Sequence, residues 1–146
     1  MSRQQCDEMY TEANRLKSFQ NWPFGEDAKC SAVKMAEAGF FHCPTDIEPD
    51  LVQCYVCFKE LDGWQLEDEP WEEHYSHSKV CLFAQLRKPQ KDLNFEEIHK
   101  IEAARKINKV KKLTAQRLQK FEEGYEDMDA LFSSVVEEIE AQMKKK

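Results

Sequence analysis

Two cysteines stand two residues apart in "CYVC", Cys54 and Cys57, and a third, Cys81, closes the segment "HYSHSKVC" at 74–81. A C-x2-C pair puts two thiolates on one tight turn, a bite suited to a single tetrahedral Zn²⁺. Cys81 adds a third sulfur, and a histidine must supply the fourth ligand. His74 gives C-x2-C-x16-H-x6-C, and His77 gives C-x2-C-x19-H-x3-C. On a helix, residues four and seven positions before Cys81 return to the same face, so helical geometry leaves both open. Three thiolates and one imidazole fill a tetrahedral zinc and leave no position for water or substrate, which points to a structural ion. Zinc deaminases require an H-x-E element ahead of the C-x-x-C pair, and none is present. Cys6, Cys30 and Cys43 read as ordinary thiols. His42 beside Cys43 offers too few donors for a second site.

The elements that position these ligands follow from turn and cap signals. Helices are expected near 7–18 and over 31–38, with Ser31 as N-cap and Gly39 as the stop. "LVQCYVCF" (51–58) reads as a strand, and Asp62-Gly63 as a hairpin turn. "PWEEH" opens a helix with proline and then acids. From Asn94 onward the chain has no proline and a single glycine, Gly124, and reads as one long helix. The boundary falls near "RKPQKD" (87–92), giving an N-terminal segment 1–14, a zinc-binding domain 15–88, and a linker with a coiled-coil-type helix over 89–146.

That helix carries a register. Leu118, Phe121, Tyr125, Met128, Phe132, Val135, Ile139 and Gln142 alternate spacings of three and four, the seam of a coiled coil. Phe95, Ile98, Ile101, Ile107, Val110 and Leu113 form a less regular upstream face. A helix of about 45 residues extends ~70 Å, so a domain of this size cannot cover its seam. Exposed aromatics at such positions call for partner helices.

Composition sets further bounds. The chain has 146 residues, 41% apolar and 34% charged, with a net charge of −7 and six cysteines. No 18-residue apolar run or signal-type N-terminus is present, which suggests a cytosolic or nuclear setting where thiols stay reduced and cysteines serve metals. Residues 46–73 hold ten acids and one base, Lys59. Such a surface repels a phosphate backbone and attracts small cationic heads. The α-amino group of a peptide N-terminus is one, and a sheet edge with carboxylates can capture it. Direct nucleic-acid binding by this domain is not expected. Four zinc ligands are half of what a RING finger needs, and no Ser/His/Asp set or phosphate loop is visible, so no enzyme is expected.

Arg15, Phe19, Trp22-Pro23, "MAEAGFFHCP", "CYVC", Trp64, "DEPWEEH" and Cys81 together resemble the baculovirus inhibitor-of-apoptosis repeat over residues 15–84. The resemblance implies an α+β fold: a small zinc-binding BIR domain, with a short three-stranded sheet and helices, followed here by a long C-terminal α-helix. The family's zinc pattern, C-x2-C-x16-H-x6-C, implies His74 as the fourth ligand and leaves His77 free.

The resemblance also implies a peptide groove after the CxxC hairpin, for free N-termini that usually begin with alanine. By position, Asp62 and Asp68 would meet the amino group, and Leu61 and Trp64 would hold the alanine methyl. Single-repeat members with a long helix read the tail of histone three phosphorylated at its third residue. Lys59 and His77 would then face the phosphate, and Glu48 a later basic side chain. Such members are implied to bundle with inner centromere protein and borealin in the chromosomal passenger complex, which carries Aurora B kinase. They are expected in nucleus and cytoplasm, at the centromere in early mitosis and at the spindle midzone and midbody later. Phe95 and Ile98 are candidates for a homodimer contact. The family name implies an alternative, inhibition of caspases directly or through other inhibitors of apoptosis.

Overall fold

The structure, a computed structural model, describes residues 8–143. Residues 1–7, with Cys6, and the side chains of Ile139 and Gln142 lie outside the described part. Helix α1 (Glu12–Ser18) starts where Thr11 Oγ1 accepts the Asn14 N–H at 3.3 Å. Its Arg15 is fully buried. Helix α2 (Ala32–Glu37) has Ser31 at its N-cap position, but the serine side chain makes no capping bond. The helix stops at Gly39, whose φ of +91° suits glycine. A Cβ there would also stand 2.8 Å from the Phe83 ring.

Three strands follow: β1 (Phe40–His42), β2 (Val52–Cys54) and β3 (Glu60–Leu61), antiparallel in the order β1-β2-β3. Phe40 pairs with Cys54, and Val52 pairs with both His42 and Leu61. The sequence-based strand over 51–58 is therefore too long, and its hairpin turn is misplaced. The chain reverses within "CYVCF" itself: the Phe58 N–H donates to the Cys54 carbonyl (3.0 Å), and the Cys54 N–H donates to the Lys59 carbonyl (3.0 Å). Phe58 has a φ of 59°. A metal-binding C-x2-C pair needs its thiols on the same side of a turn, and the alternation of a strand would send Cys54 and Cys57 to opposite faces. Asp62-Gly63 comes after β3, where Gly63 (φ +75°) redirects the chain toward the helix that opens at Pro70.

Helix α3 (Pro70–His77) has proline in its first turn, followed by Glu72 and Glu73, as its opening residues require. Helix α4 (Leu82–Leu86), a 3₁₀ turn (Gln90–Asp92) and the long helix α5 (Phe95–Met143) complete the described residues. Phe40, Phe41, Met35, Val52, Tyr55, Val56 and Phe83 form the core, together with Ile101 from α5.

The chain divides into two compact units, one running to Lys109 and one from Val110. The first extends past the expected boundary at 88 because the beginning of α5 packs on the domain. Ile101 is buried, the Arg105 guanidinium lies over the Tyr10 ring at 5.6 Å, and Asn108 Nδ2 donates to the Val56 carbonyl at 3.1 Å. In the second unit, Leu118, Phe121, Tyr125, Met128, Phe132 and Val135 are all exposed. Among the described residues no helix is long and apolar enough to cross a membrane.

Candidate functional site

The metal ligands come from four successive parts of the fold. Strand β2 ends in Cys54, the turn after it holds Cys57, α3 supplies His74, and Cys81 sits at the N-cap of α4. Their donor atoms all lie within 4.8 Å of one another. Zn–S bonds of ~2.3 Å put tetrahedral ligand atoms a little under 4 Å apart, so the cluster fits one zinc. The structure also separates the two histidines. His74 is fully buried, its Nδ1 lies 2.9 Å from the Ala38 carbonyl, and its Nε2 faces Cys57 Sγ at 3.6 Å. The carbonyl holds the proton on Nδ1 and turns the Nε2 lone pair toward the thiols, the usual orienting contact of a metal-bound histidine. His77 is exposed and lies beside Glu73, 3.4 Å from its carboxylate.

The electrostatics of the metal-free cluster suit a cation. Hydrogen bonds from Cys54 and Cys81 hold the Cys57 thiol far below its ordinary range. Burial pushes the Cys54 thiol up, and hydrogen bonds to Cys54 and Cys57 push Cys81 up. Burial lowers the His74 pKa, but hydrogen bonds to Cys57 and Cys81 outweigh it and raise the value to about 9. Without metal, then, one thiolate is shared by groups that keep their protons. Three thiolates are tolerated together only around a cation, and zinc must displace those protons to bind.

A second site lies along β3. Lys59, Glu60, Leu61, Asp62, Gly63, Trp64, Asp68, Glu73 and His77 line a cleft of ≈ 360 Å³. Of the seven residues expected to bind a peptide, the cleft brings six together: Lys59, Leu61, Asp62, Trp64, Asp68 and His77. Glu48 stands in the loop joining β1 and β2, where its N–H donates to Thr45 Oγ1, and does not line the cleft. Leu61 and Trp64 are largely buried and form the apolar floor. Trp64 packs edge-on against Phe40, with centroids 5.6 Å apart. Asp68 Oδ2 accepts the Gln65 N–H at 2.8 Å, which fixes one carboxylate oxygen and leaves the other for a ligand. Sequence reasoning passed over Glu60 and Glu73. Glu60 neighbours Leu61 on the edge strand, and Glu73 lies one helical turn before His77, a spacing that places both on one face.

The third site is the apolar face of α5. Phe121 is 73% exposed, Phe132 70% and Met128 68%, in the expected register. Nearer the domain, Phe95 is exposed and Ile98 half-buried.

Comparison with known proteins agrees with this geometry. Residues 15–85 match the family model of the BIR, or Inhibitor of Apoptosis, domain. The chain is 47% identical over 116 residues to Baculoviral IAP repeat-containing protein 5 (survivin) of Rattus norvegicus, covering 80% of this chain and 82% of that protein. The Mus musculus protein of the same name is 47% identical over 80% of this chain and 83% of its own length. Baculoviral IAP repeat-containing protein 5.2 of Xenopus tropicalis is 46% identical over 78% of this chain and 73% of its own length.

Proposed function

Because the chain belongs to the inhibitor-of-apoptosis family that carries the BIR domain, we propose that it is a non-enzymatic adaptor, joining a domain that reads peptide N-termini to a helix that recruits partner helices. The reader takes the N-terminal tail of histone three phosphorylated at its third residue. The helix takes inner centromere protein and borealin, and through them holds Aurora B kinase on mitotic chromatin for chromosome segregation and cytokinesis.

The observation that carries this reading is the cleft along β3. Glu60, Asp62, Asp68 and Glu73 line the cleft with Leu61 and Trp64, the Glu60 carboxylate accepting from Gln53 Nε2, and the two cationic or proton-donating groups, Lys59 and His77, share the same cleft. A peptide amino group has one positive charge and three donors, so it seeks the carboxylates, while a small first side chain rests on the floor. A phosphate carries about −2 at neutral pH and needs a positive contact in so acidic a surface. Lys59 supplies it permanently, and His77 supplies it when protonated or as a neutral N–H donor. The zinc cluster has no open ligand position and contributes structure. The exposed seam of α5 supports the recruiting half of the proposal, because a three-helix bundle buries aromatics at such spacing. Inhibition of caspases, directly or through other inhibitors of apoptosis, is the second reading, and the name of the matched family is what favours it.

The two halves separate by mutation. Purified chain is mixed with helical segments of inner centromere protein and borealin, and in parallel with the phosphorylated histone tail. Phe121→Glu/Phe132→Glu should lose the helical partners and keep the tail, and Asp62→Ala should do the reverse. If the seam variant still assembles with both segments, the recruiting role is wrong.

A further inference from the structure

We propose that Asp50 is a positioning residue for the apolar floor of the cleft, holding Trp64 where a first side chain meets it. The inference rests on the peptide-reading function above and adds a residue that does not itself line the cleft. Asp50 lies in the loop before β2, and its Oδ2 accepts the Trp64 backbone N–H at 2.7 Å. The two residues are 14 apart in sequence, so the bond ties the β1–β2 loop to the segment after β3.

That segment needs a tether at its start. Gly63, with a φ of +75° and open space where a Cβ would stand, turns the chain immediately before Trp64. Further along, the segment is held by the Lys29 N–H on the Leu66 carbonyl (2.9 Å), the Cys30 thiol on the Gln65 carbonyl (3.1 Å) and the Gln65 N–H on Asp68 (2.8 Å). The Trp64 side chain provides no polar anchor of its own. Its indole Nε1 is buried and has no hydrogen-bond partner among the described residues. The ring's place therefore depends on packing against Phe40 and on the backbone, and Asp50 is what holds that backbone. A carboxylate acceptor makes the bond charge-assisted and stronger than a neutral one.

The test compares Asp50→Ala, which removes the acceptor, with Asp50→Asn, which keeps an acceptor oxygen and removes the charge. Free N-terminal peptides beginning with alanine and with glycine are titrated into each zinc-loaded protein, and amide exchange is followed at Trp64. In wild type the Trp64 amide should be protected, and alanine-first peptide should bind more tightly than glycine-first. In Asp50→Ala the alanine-first affinity should fall roughly five- to tenfold, the alanine preference should shrink toward unity, and the Trp64 amide should exchange faster. Asp50→Asn should recover most of both. Equal weakening of the two peptides in Asp50→Ala, or an Asn variant as impaired as the Ala variant, overturns the positioning role in favour of general stability or long-range charge. If Asp50→Ala does not hold zinc, wild-type exchange decides: a Trp64 amide as labile as an unstructured one overturns the tether. An N-acetylated peptide is the control on the parent reading. If it binds wild type as well as the free peptide does, the peptide-reading function fails first, before any variant is compared.

Discussion

Phe40 and Phe121 are both aromatic residues in regular secondary structure, yet Phe40 is fully buried and Phe121 is 73% exposed. The contrast holds for the regions around them. The domain places its aromatics on one another, with Tyr55 against Phe83 and Phe40 against Trp64 and His74, and fastens the result with four metal ligands. The distal part of α5 carries an apolar face at heptad spacing whose described residues, Leu118 to Val135, are exposed. Burying one large apolar side chain is worth about 1.5–3 kcal/mol, so the domain has realised that stabilisation within the chain, whereas the exposed seam residues of the distal helix have not. Single changes at the buried positions of the domain should therefore appear as loss of folding, and, under the proposed function, changes in the seam as loss of binding.

The largest effect should come from the metal. Purified protein should contain one zinc per chain. Cys57→Ala or His74→Ala should lose it and unfold the domain, because the binding energy of a structural zinc, about 10–16 kcal/mol in small peptides, is folding energy. His77→Ala should keep both zinc and fold. A folded, zinc-loaded His74→Ala protein would show that another residue closes the site.

Affinity for zinc should also depend on pH with a definite sign. His74 in the metal-free cluster titrates at about 9, and burial and hydrogen bonding keep protons on Cys54 and Cys81. Zinc must displace the Cys54 and Cys81 protons throughout this range, and below about 9 the His74 proton as well, so affinity rises with pH and falls on acidification, most steeply below about 9. A competition titration with a chelating dye across pH reads this directly.

Arg15 should be next. Its guanidinium donates to the carbonyls of Ala36 (3.0 Å), Tyr10 (2.9 Å) and Met9 (3.2 Å) and to Gln90 Oε1 (3.3 Å), and it lies 4.2 Å from the Tyr55 ring centroid. Arg15→Ala should cost about 3–4 kcal/mol in a denaturant melt, since it empties a large buried volume and strands the carbonyls. Lysine should recover little of this, because one ammonium cannot reproduce the fork of contacts. The smallest effect should be that of Phe121→Glu/Phe132→Glu on the melting of the domain, within about 0.5 kcal/mol. A larger shift would mean that the two regions are not energetically separate.

The metal centre was legible because its chemistry fixes residue types and spacings, and C-x2-C with a downstream histidine and cysteine has few other uses. The choice of histidine was not legible from helical periodicity, which places His74 and His77 on one face. What separates them is the Ala38 carbonyl, at the C-terminal end of α2 and 36 residues away in sequence. The long helix and its seam were equally plain, since their period is local. "LVQCYVCF" misled because its β-forming residues obey propensity, whereas the metal requires a turn there. The start of α5 also escaped: Ile101 read as part of the upstream apolar face of the helix and Asn108 gave no signal, and only the tertiary fold brings them to the core and to the Val56 carbonyl. Asp50 gave no local signal either, for its bond to Trp64 spans the hairpin.

Under the proposed function the acidic cleft receives a free peptide amino group, and N-acetylation of the peptide is the sharpest test. Acetylation removes the charge and the donors together, each charge-assisted hydrogen bond being worth about 1.5–3 kcal/mol. In a calorimetric titration of the phosphorylated histone-three tail, the acetylated peptide should bind on the order of ten- to a hundredfold more weakly than the free one. Removing the phosphate should weaken binding in wild type, and by less in Lys59→Ala or His77→Ala. Equal affinity for the free and acetylated peptides would contradict the account, whatever the state of the zinc site.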